Sequence, residues 1–210
     1  MANPFLALKR IRQIIAANHA EGELPYGVEE IRAAIVGHTN LDYIEFIEFN
    51  DPDNPIIGRY EKYTIVKPYT PPTTYVEISY SAEVNFCWQR YTACKEMCHA
   101  VLDDDAMCVN DPESAMALVD ALLSEKDTRE LLSSVEPFKS EKLAEFLALE
   151  LLCPVEERRQ IHDNRAAKRL NVSDMQIAIE YRIPVTYVPV IFGDNYITIV
   201  ERLLAAASPD

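Results

Sequence analysis

The spacing of apolar and polar positions changes twice along the chain. Residues 4–18 and 28–37 place apolar side chains at helical spacing, so each predicts a short amphipathic helix. Three stretches of β-forming residues follow, at 43–49, 58–69 and 75–81, separated by the turn-forming sequences DPDNP and PPTT. The helical period then returns. This order predicts an α+β domain whose small sheet is antiparallel and packs on a later helix.

The second half of the sequence is mostly helical in pattern. Phe86 to about Leu102 predicts a long helix, and Ser173 is a suitable N-cap for a later one. The sequence VTYVPVIF at 185–192 instead predicts a strand or an extended pairing. The remaining helical stretches are 112–124, 126–138, 140–154, 155–170, 173–183 and 197–207.

Composition and charge narrow the classes of function. The formal net charge of −14 over 210 residues disfavours direct binding to nucleic acid, because it repels phosphate backbones. The sequence contains no apolar run long enough to span a membrane and no phosphate-binding glycine loop. Five cysteines without a secretory signal are typical of reduced thiols. We therefore expect a cytoplasmic protein that does not bind membranes.

The sequence QRYTACKEMCHAVLDDD, at residues 89–105, contains the candidate metal-binding and catalytic residues. Lys95 and His99 are four residues apart and so share one face of the predicted helix. With histidine at position 95 the segment would read His-Glu-x-x-His, in which two imidazoles bind zinc and the glutamate acts as general base. An ammonium group has no lone pair to donate, so Lys95 fails as a ligand. Either Lys95 points to solvent, or Cys94 or Cys98 supplies the missing ligand, or the site has lost its metal.

Two segments of the sequence resemble the ImmA/IrrE family of metallo-endopeptidases. RYTACKEMCHAVLD is similar to the family's R-F-T-x-A-H-E-x-x-H-x-L-L-D block, with Lys95 in the place of the first histidine. EKLAEFLALELLCP at 141–154 is similar to its E-x-E-A-N-x-F-A-x-E-L-L-x-P helix. LPYGVEEI at 24–31 and AAKRLNVSDMQIAI at 166–179 also fit, so the resemblance is clearest over residues 20–182.

The resemblance implies a zincin-like domain over residues 1–182, with 183–210 as a C-terminal extension packed on it. It makes His99 the second metal ligand, Glu141 the third and Glu96 the general base. It also implies zinc as the cofactor and a transcriptional repressor as the protein that is cleaved. Because the first ligand is replaced, we expect Lys95 to form ion pairs with Glu96 and Glu141 in a pocket without a metal.

Three functions remain open from the sequence. The first is a degenerate metallopeptidase-like domain, without a cofactor, that regulates by binding a protein such as a phage- or stress-related repressor. The second is an active zinc endopeptidase with an unusual ligand set, in which Glu96 activates water. The third is an acidic binding protein unrelated to peptidases.

Overall fold

The computed structural model describes residues 4–18, 24–53, 56–102 and 136–206. In these parts of the chain, two helices precede a three-stranded sheet and further helices follow it, which makes the fold mixed α+β. The elements are α1 (Pro4–Asn18), α2 (Val28–His38), β1 (Tyr43–Phe49), β2 (Gly58–Ile65), β3 (Thr73–Ser81), α3 (Phe86–Leu102), α4 (Glu136–Leu152), α5 (Val155–Ala166), α6 (Asp174–Tyr181), α7 (Val188–Ile191) and α8 (Asp194–Ala206). The helix predicted at 112–124 lies outside the described residues, as does most of the one predicted at 126–138.

The strand order in the sheet is β1-β3-β2, with β3 in the centre. β2 pairs antiparallel with β3, whereas β1 pairs parallel with it, from Tyr43 opposite Tyr75 to Phe49 opposite Ser81. The expectation of an antiparallel sheet is therefore wrong for the β1–β3 pair. Alternation of apolar residues determines which face of a strand is buried, but not the direction of its neighbour.

The sheet covers one side of α3, and α4 covers another. Ile44, Tyr60, Val76 and Ile78 of the inner sheet face are buried in the same core as α3. α3 begins after Asn85, whose Oδ1 accepts a hydrogen bond of 3.2 Å from the backbone N–H of Trp88. Neighbours on several sides leave α3 buried around most of its circumference, which is unusual for a helix carrying so many polar side chains.

Arg90 fixes α3 in this position. Its buried guanidinium donates to the carbonyl oxygens of Tyr26 at 2.6 Å, Tyr181 at 2.9 Å and Arg182 at 3.2 Å. Tyr26 precedes α2, and the other two carbonyls lie at the C-terminal end of α6. One side chain therefore joins two separate parts of the chain to α3.

The segment after α6 packs on the same core. Ile183, Val188, Ile191 and Ile197 are fully buried, and the Tyr187 hydroxyl donates to that of Tyr91 at 2.9 Å. The extended structure predicted at 185–192 is wrong, because the chain forms a 3₁₀ turn at Val185–Tyr187 and then α7. None of the helices in the described ranges is both long and apolar enough to cross a membrane.

Candidate functional site

Four of the residues singled out in the sequence meet between α3 and α4. α3 contributes Lys95, Glu96 and His99, and α4 contributes Glu141. The two helices run antiparallel, since Cys94 contacts the carbonyl of Ala148 while His99 contacts Glu141. Lys95 and His99 are one turn apart on the face of α3 towards α4, so both reach the same carboxylate. We refer to Lys95, Glu96, His99 and Glu141 as the ion cluster.

The Lys95 ammonium lies between two carboxylates. Its Nζ is 2.5 Å from Glu141 Oε1 and 3.1 Å from Glu96 Oε1. The Lys95 side chain is only 16% exposed and that of Glu96 only 5%. Burial alone would lower the pKa of Lys95, but the charges of Glu96 and Glu141 raise it above its usual value. The lysine is therefore held as a cation.

The second oxygen of Glu141 accepts a hydrogen bond from His99. His99 Nε2 is 2.9 Å from Glu141 Oε2, while His99 Nδ1 is 3.4 Å from the Ser140 hydroxyl. Burial would raise the pKa of Glu141, but the hydrogen bond from His99 and the charge of Lys95 lower it to about 2. Because the ionised carboxylate can only accept, the hydrogen must lie on His99 Nε2.

Strand β2 closes the cluster from the sheet side, which the sequence did not predict. The Tyr60 ring stacks on the His99 imidazole with 5.8 Å between centroids and 7° between planes. At Gly58 the backbone comes so near α3 that a Cβ there would lie 2.0 Å from Thr92 Cγ2 and 3.3 Å from Glu96 Oε1. A glycine at the start of a β-forming stretch, facing a predicted site helix, was the only signal available in the sequence.

The donor set does not fit the zinc site that the resemblance implies. A catalytic zinc needs three protein ligands, each with a free lone pair. Here position 95 presents an ammonium, which has no lone pair and whose positive charge would repel a metal cation. The described residues include no group of three or more His, Cys, Asp or Glu side chains placed to hold a metal ion. The ligand set of a catalytic zinc site is therefore incomplete in this cluster.

The two cysteines considered as replacement ligands point elsewhere. Cys94 and Cys98 are both buried, and the Cys94 thiol lies 3.9 Å from the carbonyl oxygen of Ala148. Burial raises the pKa of the Cys98 thiol, and a hydrogen bond with Cys94 raises it further. A thiol that resists ionisation is a poor metal ligand, so these contacts favour packing roles for both residues.

An apolar cleft begins one helical turn along α4 from Glu141. Its volume is about 540 Å³, and Glu145 and Lys142 form an ion pair of 2.6 Å among its lining residues. Aromatic side chains from four elements form much of the lining, namely Trp88, Phe146, Tyr187 and Tyr196. A cleft of this size and composition suits an apolar side chain of a peptide better than a small polar substrate.

No protein-family model matches this chain, and no curated protein sequence is significantly similar to it.

Proposed function

We propose that this chain is a metal-free relative of the ImmA/IrrE metallo-endopeptidases that regulates a protein partner by binding it. One observation carries the proposal. The Lys95 ammonium lies 2.5 Å and 3.1 Å from two carboxylates, in the role that a metal cation has in the family that the sequence resembles. The single positive charge of Lys95 reduces the repulsion between Glu96 and Glu141, and it helps to keep the pKa of Glu141 low in a buried site without a metal.

The same contact removes the chemistry of a peptidase. A general base must be free to take a proton, whereas the Glu96 carboxylate faces the Lys95 ammonium and is almost fully buried. An ammonium can donate hydrogen bonds, but it cannot coordinate and activate a water molecule as a metal does. What remains near the cluster is a surface able to bind a peptide.

The cleft beside the ion cluster is the place proposed for that binding. Its lining joins aromatic rings of α3, α4, α8 and the 3₁₀ turn, and aromatic pockets commonly anchor protein partners. The resemblance suggests a transcriptional repressor or another phage- or stress-related regulator as the partner. Burial of Trp88 by a bound peptide would change the emission of the chain's only tryptophan.

Zinc content and peptidase activity test the loss of the metal. The protein purified without chelator is expected to contain far less than one zinc per chain and to leave an unstructured protein substrate intact in added zinc. Lys95→His restores the His-Glu-x-x-His pattern, and we expect it to bind about one zinc per chain. Lys142→His on the neighbouring helix is the control and should bind none tightly.

Two results contradict the proposal. One tightly held zinc per chain in the wild-type protein would favour the active peptidase instead. A Lys95→His variant that folds but gains no zinc would remove the support for descent from a metallopeptidase.

The change in tryptophan emission on peptide binding tests the cleft. If replacing Phe146 by alanine abolishes that change, the peptide binds in the cleft. If the change is the same in the variant, the peptide binds elsewhere.

A further inference from the structure

The outer face of the sheet, opposite the ion cluster, carries two regular rows of side chains. Residues of β1, β3 and β2 that lie directly opposite one another form each row. The aromatic row is Tyr43, Tyr75 and Tyr63, and the acidic row is Glu45, Glu77 and Glu61. We infer that this outer face, defined by the two rows, is a docking surface for an arginine-rich segment of a partner protein.

The aromatic row is a continuous stack. The rings of Tyr43 and Tyr75 have centroids 4.9 Å apart, and those of Tyr75 and Tyr63 are 5.6 Å apart with only 7° between planes. Tyr43 remains 52% exposed and Tyr63 42% exposed. Stacking across three strands orders these rings before a partner arrives, which lowers the entropy lost on binding.

The acidic row places like charges on neighbouring strands. Glu77 in the central strand faces Glu45 on one side and Glu61 on the other. Adjacent strands are about 4.8 Å apart, and like charges directly opposite each other destabilise a sheet. Among the described residues, Arg59 is the only cation that forms an ion pair with this row, at 3.9 Å from Glu61. A bound cation would therefore reduce the repulsion between the carboxylates of this row.

The two rows are neighbours along the strands. Their residues are two positions apart, and hence about 7 Å apart on the same face. Burial raises the pKa of the Tyr63 hydroxyl, and the charges of Glu77 and Glu45 raise it further, so the tyrosine senses the carboxylates. A guanidinium that stacks on a tyrosine ring can donate to a carboxylate at this spacing, which a compact ammonium does less well.

The negative charge of the outer face favours a separate basic partner over another part of this chain or a second copy of it. Residues 103–135, the longest part of the sequence outside the described ranges, contain nine acidic and two basic residues, so the acidic row repels them. A second copy of the chain would bring a protein of net charge −14 against the same face. An arginine-rich segment of another protein instead places positive charge against the acidic row and reduces the repulsion between its carboxylates.

Binding of fluorescein-labelled nona-arginine to the full chain tests this surface by anisotropy. We expect salt-dependent binding, weaker binding of nona-lysine, and none of nona-glutamate. The double variant Glu45→Gln/Glu77→Gln should weaken nona-arginine binding by about fivefold or more. The matched control is Asp163→Asn/Glu180→Gln, which removes two exposed charges from α5 and α6 and should change affinity by less than about twofold.

The aromatic row has its own pair of variants. Tyr63→Ser should weaken nona-arginine binding by about threefold, whereas Tyr63→Phe keeps the ring and should bind as the wild type does. Equal weakening by the two double variants would overturn the proposal, because binding would then follow net charge alone. Self-association of the wild-type chain that the Glu45→Gln/Glu77→Gln variant alters would also overturn it. The inference does not depend on the loss of zinc, since neither row contacts the ion cluster.

Discussion

Lys95 Nζ lies 2.5 Å from Glu141 Oε1, and this contact joins two helices through residues 46 positions apart in the sequence. The other oxygen of Glu141 is 2.9 Å from His99. Glu141 therefore receives hydrogen bonds from both turns of α3 that face it. These contacts explain why the buried carboxylate of Glu141 remains ionised. They also make the stability of the α3–α4 packing depend on the ionisation of Glu141.

Removing the Lys95 ammonium should destabilise the protein strongly. Lys95→Met leaves Glu96 and Glu141 close together without a cation, and breaking a buried ion pair in this way costs about 3 kcal/mol. The cost should decrease at lower pH as one carboxylate takes a proton. Urea unfolding at pH 7 and pH 5 measures both effects. Lys142→Met, which alters a lysine whose side chain is 44% exposed, should cost less than about 1 kcal/mol.

Acid should remove the contribution of Glu141. Its pKa in the folded protein is about 2, below the ordinary 4.5, so its stabilising effect is complete above about pH 5 and is lost as the pH falls towards 2. The difference corresponds to about 3 kcal/mol. The free energy of unfolding of Glu141→Gln should therefore depend less on pH over this range, while Lys95 stays charged throughout. Parallel pH profiles for the wild type and the variant would contradict the assignment.

Gly58 should tolerate alanine only if Thr92 becomes smaller. An alanine Cβ would lie 2.0 Å from Thr92 Cγ2, so Gly58→Ala should lower the free energy of unfolding by about 2 kcal/mol. Thr92→Ser deletes that methyl group and keeps the hydroxyl. The double variant should be more stable than Gly58→Ala alone, as thermal unfolding can measure. An equally unstable double variant would place the strain elsewhere in β2.

The buried pair of Arg158 and Glu150 should behave as a single unit. Both side chains are fully buried and in direct contact, and Arg158 Nη1 also donates to the carbonyl of Ile191 at 3.0 Å. Arg158→Met and Glu150→Leu should each cost about 3 to 5 kcal/mol, because each leaves a charge without its partner. The double variant should cost much less than the sum. Additive losses in urea unfolding would show that the two residues act independently.

The sequence predicted the elements better than their arrangement. Apolar spacing was sufficient to predict α1, α2 and α3, and a run of β-forming residues gave the bounds of β1. It failed at 185–192, where β-branched residues suggested extended structure. There Pro189 lies in the first turn of α7, a position that suits proline, and Val188 and Ile191 are buried against the core. Tertiary packing outweighed the local preference.

The candidate site depended on more than periodicity. Helical spacing put Lys95 and His99 on one face of α3, but only the resemblance to a known family brought Glu141 to that face. The Tyr60 ring and the Gly58 backbone come from a strand some forty positions earlier than His99, and apart from the glycine itself no local pattern marks them as part of the site. The same holds for Arg90, whose carbonyl partners lie 64 to 92 positions away from it in the sequence. Contacts of this kind are set by the way elements pack and not by their own sequences.

The central position of β3 also affects how the chain assembles during synthesis. β1 and β2 do not pair with each other, so neither has a hydrogen-bonded neighbour until the ribosome has released residues 73–81. A nascent chain that stalls before Thr73 would carry two unpaired strands with exposed backbone groups. Such an intermediate would be prone to aggregation or to binding by chaperones. Once Ser81 has left the ribosome, β3 can pair with both strands and the whole sheet can form in one step.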